Sequence, residues 1–504
     1  MRDISPSQGA HVLVQARSPF YIAINARLVG RADHIAAFMN QSPLPKPFGS
    51  VLDLIGSTPM VELKRFDTGV CRLFTKLESQ NPGGSIKDRI ALSMIAAAEE
   101  DGVLKPGGTI IEATAGNTGL ALALVGVLKG YRIILVVPDK MAREKVQHLR
   151  ALGADVRITR SDVGKGHPEY YQDLAARIAR ETGAYYVNQF GNPNNPLAHY
   201  QTTAPEIWEQ MDGDVDAIVV GVGSGGTLSG IGRYFAERSP KTRMVLADPV
   251  GSILAHYVKT GEMIDAGSWN VEGIGEDFIP DNADLALVKD AFYVSDRDSM
   301  DAARELLIRE GILAGSSSGT LLSAALRFCR QQTEPLRVVT FVCDTGAKYL
   351  SKVYSDHWLA EQGLADRPIH GDLRDLVPRT LSEGGVVSIS PSDTVLSAYN
   401  RMRQADVSQL PVIDNGHLVG ILDESDILKG IENEELAREA RFNQPVRSLM
   451  TTNLRTLQVN ERIDSLLPIF EREEVALIMD GTEFVGVITR VDLINHLRLH
   501  PKAS

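Results

Sequence analysis

The sequence predicts an α/β protein built on parallel sheet and ending in a smaller repeated module, and three observations predict it. From Thr109 onward, strand and helix patterns alternate ("TIIEA", "TGLALALVGVLKG", "YRIILVVP", "AREKVQHLRALGA", "DVRIT"), as in βαβ crossovers. Two glycine-rich turns, "EATAGNTG" and "GVGSGGT", leave strands and enter helices, the place where open parallel sheets bind ligands. Finally, "LVGILDESDIL" recurs as "FVGVITRVDLI", with Gly420 and Gly486, Asp426 and Asp492, and Asp414 and Asp480 each 66 positions apart.

The bulk properties narrow the function. A chain of 504 residues, 43% hydrophobic, buries a large core in two or three domains. A net charge of -12 gives no basic face for general nucleic-acid binding, so small molecules are the expected partners. Cys71, Cys329 and Cys343 lie far apart without C-x-x-C spacing, which suggests neither a disulfide framework nor a metal site and points to the cytoplasm. No apolar run is long enough to span a bilayer, so no membrane partner is expected.

In chain order, residues 1–47 form an extension with Arg2, Arg17, Arg27 and Arg31 against Asp3 and Asp33. It reads either as an organelle transit peptide or as a segment packing on the main domain or an oligomer partner. Residues 48–360 are expected to form one catalytic unit, and polar "EQGLADRPIHGD" marks a linker over 361–371. Residues 372–504 hold the repeats, about 372–432 and 444–500, each reading strand, helix, strand, tight "DNG" or "DGT" turn, strand, helix.

Four motifs carry chemistry. "NPGGSIKDR" sets Lys87 in the first turn of a helix, with Ser85 as its expected N-cap. A helix N-terminus disfavours a cation, which helps make the amine neutral and nucleophilic; the alternative is a surface lysine paired with Asp88. "EATAGNTG" offers converging N–H groups and the Asn117 amide. Gly221 to Gly226 spell G-x-G-x-x-G, with Asp248 ending the next strand where a dinucleotide fold places its ribose-binding acid, so a nicotinamide enzyme is the first reading. "EGILAGSSSG" is either a polar turn whose hydroxyls reach a ring nitrogen or a close helix–helix approach.

Together these segments resemble the fold-type II pyridoxal-phosphate enzymes of the cysteine synthase and cystathionine β-synthase family, over residues 48 to about 360. The resemblance implies two parallel-sheet α/β subdomains and pyridoxal 5'-phosphate as cofactor, in place of the dinucleotide. It makes Lys87 the residue that bonds the cofactor's aldehyde and carries the α-proton. It puts Asn117 at the phenolic oxygen, Gly223, Ser224, Gly225, Gly226 and Thr227 around the phosphate, and Ser317 at the pyridine nitrogen. A neutral serine there makes a milder electron sink, suited to prompt loss of a β-substituent. The substrate carboxylate falls to Thr114, Ala115, Gly116, Thr118 and Gln189, with Ala115 where the family usually has serine.

"VEGIGEDFIP" and "CDTGAKYLSKVYSDHW" look more like the cystathionine β-synthase branch, with Glu276 where animal relatives carry tyrosine. Those relatives bind haem through Cys and His on the extension; here it has His11 and His34 and no cysteine, so no haem is expected. The repeats resemble the tandem CBS (Bateman) module, which binds adenine nucleotides or S-adenosylmethionine through Thr/Ser-x-x-Asp. Thr489 and Asp492 fit that element, whereas the first copy has Asp423 at the hydroxyl position before Asp426. The alternative is a purely structural dimerisation module.

The resemblance implies β-replacement of L-serine by L-homocysteine, with sulfide release from cysteine as a side activity. The rivals are a cysteine synthase using O-acetylserine and sulfide, and an idle nucleotide sensor. A homo-oligomer, dimer or tetramer, is expected.

Overall fold

A computed structural model describes residues 47–499 apart from 115, 140, 142, 165, 366–369, 378–379, 383–384, 432–439 and 441. Contact density separates residues 1–50 from residues 51–504. The expectations for residues 1–46, His11 and His34 included, and for Ala115 lie outside the described residues.

Ahead of the repeats run β1 (Met60–Glu62), β2 (Arg72–Leu77), β3 (Thr109–Ala113), β4 (Arg132–Pro138), β5 (Asp155–Thr159) and β6 (Tyr185–Tyr186). After them come β7 (Ala217–Val220), β8 (Arg243–Pro249), β9 (Val288–Val294) and β10 (Arg337–Val342). The helices that matter most are α1 (Lys87–Glu100), α2 (Asn117–Leu128), α3 (Arg143–Ala151), α4 (Gly226–Arg238), α5 (Asp296–Glu310), α6 (Ser316–Arg330) and α7 (Asp356–Glu361).

The strands form two sheets. One, β5-β4-β3-β6, is parallel throughout; the other, β1-β2-β10-β7-β8-β9, is parallel except for β1 against β2. β4 is buried after its first residue and β7 throughout, as strands covered by helices on both faces must be. Each sheet has its own apolar core, with Ile90, Leu120 and Leu135 in one and Val219, Leu246 and Phe341 in the other. The carboxyl end of β3 leads through Thr114 into α2, and that of β7 through Gly221–Gly225 into α4.

The first repeat contains α8 (Val395–Ala405), β11 (Gln409–Asp414), β12 (His417–Asp423) and α9 (Glu424–Ile431). The second contains β13 (Thr456–Gln458), β14 (Ala476–Asp480), β15 (Glu483–Ile488) and α10 (Arg490–Leu499). Asn415 and Gly416, with φ of 50° and 85°, make the left-handed turn that a two-residue hairpin favours. The leading strand expected in both copies is only a bridge between Ile389 and Val412 in the first. Pro411 on the facing strand and Pro391 beyond lack the N–H groups that would extend the ladder. Asn495 of α10 donates to Glu361 of α7 at 3.1 Å, a contact between the second repeat and the helix that follows β10.

Candidate active site

α1 starts at Lys87, with Ile86 in the cap position; Ser85 lies one residue earlier than expected of the cap, yet its Oγ accepts the Lys87 N–H at 3.3 Å. Burial pushes the Lys87 amine below its usual pKa, while Cys343, Asp344 and Glu276 pull the other way. The neutral form is therefore favoured mainly by desolvation, a cause separate from the helix dipole. Asp88 does not serve as its surface partner: it is fully buried, accepts the Gly83 N–H at 2.5 Å, and burial raises it to about 6.

Asn117 opens α2 and donates from Nδ2 to Asp344 Oδ2 at 2.7 Å. Tyr349 donates to the same oxygen at 2.6 Å, while Asp344 Oδ1 is buried with no hydrogen-bond partner among the described residues. Thr114 accepts the Gly116 and Gly119 N–H groups, and Thr118 donates to Gln189 Oε1 at 2.7 Å. Gln189 is buried and also bonds Ala113 O, so its amide braces the turn on which Gly116 sits.

The turn before α4 is shaped for close approach. A Cβ on Gly223 would lie 2.5 Å from Gly273 O; on Gly225 (φ 86°), 2.6 Å from Ala283 N; and on Gly226 it would overlap Asn195 Oδ1. Asn195 Nδ2 donates to Ser224 Oγ at 2.9 Å and to Gln189 O at 2.8 Å, tying this turn to Gln189. Thr227 Oγ1 faces His199 Nε2 at 3.2 Å, and burial holds that imidazole well below its usual pKa. Ser317 is buried in the first turn of α6, and its neighbour Ser318 accepts the Cys343 N–H at 2.9 Å. The same segment also makes the close helix approach, for a Cβ on Gly319 would overlap Ser299 O of α5.

The structure thus links Lys87, Asn117, the Gly223–Thr227 turn, Ser317, Thr114, Gly116, Thr118 and Gln189 through Asp344, Cys343, Asn195 and His199. These linking residues were not singled out in the sequence, although "CDTGAKYL" and "GNPNNP" contain three of the four. Also missed was Lys145 of α3, which pairs with Glu272 and lies 3.2 Å from the Tyr349 hydroxyl. Thr489 and Asp492 belong elsewhere, at the N-terminus of α10, where Asp492 Oδ2 accepts the Thr489 hydroxyl at 2.6 Å and its N–H at 2.7 Å. In the first copy Asp426 Oδ2 accepts the Asp423 N–H at 3.2 Å and Asp423 Oδ1 accepts the Asp426 N–H at 2.7 Å, and no side-chain donor stands where Thr489 has its hydroxyl.

A dinucleotide does not suit this site. Asp248 is buried and turned inward, accepting the Ala255 N–H at 2.8 Å, so its carboxylate does not meet a ribose. Pyridoxal phosphate does suit it: the first N–H groups of α4, at the end of a glycine turn, are donors for a phosphate, and a desolvated amine stands ready for an aldehyde. Among the described residues no cluster of metal-ligating side chains occurs, and no helix is long and apolar enough to cross a membrane.

Residues 51–344 match the pyridoxal-phosphate dependent enzyme family, and residues 377–433 and 446–499 match the CBS domain. Cystathionine beta-synthase of Mus musculus is 36% identical over 90% of this chain and 81% of its own. Cysteine synthase A of Escherichia coli is 41% identical over 59% of this chain and 92% of its own. A crystal structure of a hydrogen sulfide-producing enzyme from Fusobacterium nucleatum is 36% identical and superposes with a TM-score of 0.57, covering 60% of this chain and all of that one. The chain belongs to the pyridoxal-phosphate dependent enzymes of the cystathionine β-synthase family, with pyridoxal phosphate as its cofactor and a tandem CBS pair behind the catalytic fold.

Proposed function

We propose that the protein replaces the β-hydroxyl of L-serine with the sulfur of L-homocysteine, giving L-cystathionine and water. The observation that carries this reading is coverage: similarity to the mouse synthase takes in 90% of the chain, whereas similarity to cysteine synthase A takes in 59%. Lys87, whose neutral form burial favours, would hold the cofactor through its aldehyde and, when free, would be placed to take the substrate's α-proton. When bound, pyridoxal phosphate supplies the electron sink for the charge left on the α-carbon. Gly223, Ser224, Gly225, Gly226 and Thr227 hold its phosphate, Ser317 its ring nitrogen and Asn117 its phenolic oxygen. The Thr114–Thr118 turn, Ala115 included, takes the substrate carboxylate, and Gln189 fixes that turn through Thr118.

The test is a substrate matrix of serine or O-acetylserine against homocysteine or sulfide, scored by kcat/KM. Serine with homocysteine is the best pair if the proposal holds; O-acetylserine with sulfide as the best pair replaces it with the cysteine synthase reading. Release of sulfide from cysteine accompanies the main activity.

Residues 48–360 form the catalytic unit of a cytoplasmic homo-oligomer, 361–371 the linker and 372–504 a regulatory module. An adenine nucleotide or S-adenosylmethionine binds at Thr489 and Asp492, and a fixed carboxylate at Asp423 disfavours the first copy. A ligand held there raises Tm by mass action in the wild type and not in Asp492→Ala. If neither ligand class shifts Tm or activity in the wild type, the module is structural.

A further inference from the structure

Lys348 has none of the roles assigned above, yet its buried ammonium has three acceptors. They are Gly83 O at 2.9 Å, Gly84 O at 3.3 Å and Asn117 Oδ1 at 2.8 Å. The first two belong to the turn that delivers Lys87; the third is the amide that opens α2. One cation therefore ties together two segments that the catalytic fold must hold in register.

The partners also fix which way the amide faces. An ammonium only donates and a carboxylate only accepts, so Asn117 between Lys348 and Asp344 has its oxygen toward the lysine and its nitrogen toward the acid. Both partners lie on the short segment Asp344–Lys348. That segment runs beside the Lys87 turn, with Asp344 bridged to Ser85, Cys343 O accepting the Ile86 N–H at 2.8 Å, and Gly84 O accepting the Thr345 N–H at 3.1 Å. Burial works against the charge on Lys348, while Asp344 and Asp88 favour it. A buried cation opposed by desolvation and held by three hydrogen bonds is a costly way to fill space, which points to a role in orientation.

We propose that Lys348 is a positioning residue for the cofactor: by fixing the Asn117 amide and the Gly83–Gly84 turn together, it sets the hydrogen bond that Asn117 gives the phenolic oxygen. This rests on the role given to Asn117 above. Electron density on that oxygen governs both the visible absorbance of the bound cofactor and its pH titration. A residue acting through Asn117 therefore moves those signals, whereas a merely structural one moves only Tm.

The experiment compares wild type, Lys348→Met, Lys348→Arg and Asn117→Ala. It reads the affinity of the apoenzyme for pyridoxal phosphate by fluorescence titration and the pH midpoint of the holoenzyme's visible band. Lys348→Met is expected to weaken cofactor binding about tenfold, the scale of one hydrogen bond to a charged group, and to shift the midpoint. Lys348→Arg, which keeps the charge and the donors, restores part of both. Where the methionine variant does not fold, Lys348→Gln takes its place in the comparison. Wild-type affinity and midpoint in the Lys348 variant, with both altered in Asn117→Ala, overturn the inference and leave the role of Asn117 standing. If Asn117→Ala alters neither, that role and the inference fall together.

Discussion

Arg89, two residues beyond Lys87, grips two carboxylates at once. Its guanidinium meets Glu78 through two bonds of 2.8 Å and Glu206 through two of 2.7 Å, with the arginine side chain 2% exposed and Glu78 0%. Replacing Arg89 with Met removes all four bonds. Glu206 keeps Lys76 at 2.8 Å, so the loss centres on Glu78, left with Thr58 at 2.6 Å and Asn81 at 2.9 Å. Stranding one member of a buried ion pair costs about 3–5 kcal/mol. At roughly 2 °C per kcal/mol for a large unit, Tm should fall by about 6–10 °C.

The assay is thermal unfolding followed by circular dichroism on Arg89→Met and on the double variant with Glu78→Gln, which removes the stranded charge and should recover much of the loss. The pH dependence supplies a second check. Burial raises the Glu206 pKa, but Arg89 and Lys76 outweigh it and bring the group down to about 2 from 4.5. A depressed carboxylate stabilises the fold fully above its unfolded pKa, and that contribution is lost as pH falls from 4.5 toward 2. The variant should therefore lose less stability than wild type across that window. A Tm within about 1 °C of wild type, or a double variant no better than the single, refutes the reasoning.

Gly226→Ala places a methyl group against Asn195, breaking its ties to Ser224 and Gln189, so cofactor affinity measured by fluorescence titration should fall by roughly tenfold or more. Glu112 is fully buried in β3, and burial lifts it to about 8 from 4.5, against the Gln189 N–H that it accepts at 3.3 Å. A raised carboxyl contributes fully below its unfolded pKa and loses that contribution as pH rises from 4.5 to about 8, so wild-type Tm should decline across that window and Glu112→Gln should flatten the decline. Equal slopes in the two proteins count against the assignment.

Much of the fold was legible because the buried strands are short apolar runs and the glycine turns sit where strands enter helices. Lys87 was legible from the same turn chemistry. Asp344 was not, because its contact with Asn117 spans 227 residues and depends on β10 pairing beside β2, which local periodicity does not encode. The G-x-G-x-x-G at Gly221 fits either cofactor for a physical reason: any phosphate at a helix N-terminus favours the same glycines, and the buried Lys87 amine together with the inward turn of Asp248 separates the two. The cap at Ser85 was misplaced by one residue, since its hydroxyl reaches the same N–H from one position further back. The first repeat's leading strand failed where prolines remove donors that hydrophobic pattern alone does not count.

The central claim is that Lys87 is the residue joined to the cofactor. Borohydride reduction of the holoprotein followed by peptide mapping should place the pyridoxyl label on the peptide that contains Lys87. Lys87→Ala should fold with a Tm near wild type, carry no label and lack turnover. A label on Lys145, Lys348 or another lysine, or full activity in the alanine variant, contradicts the account.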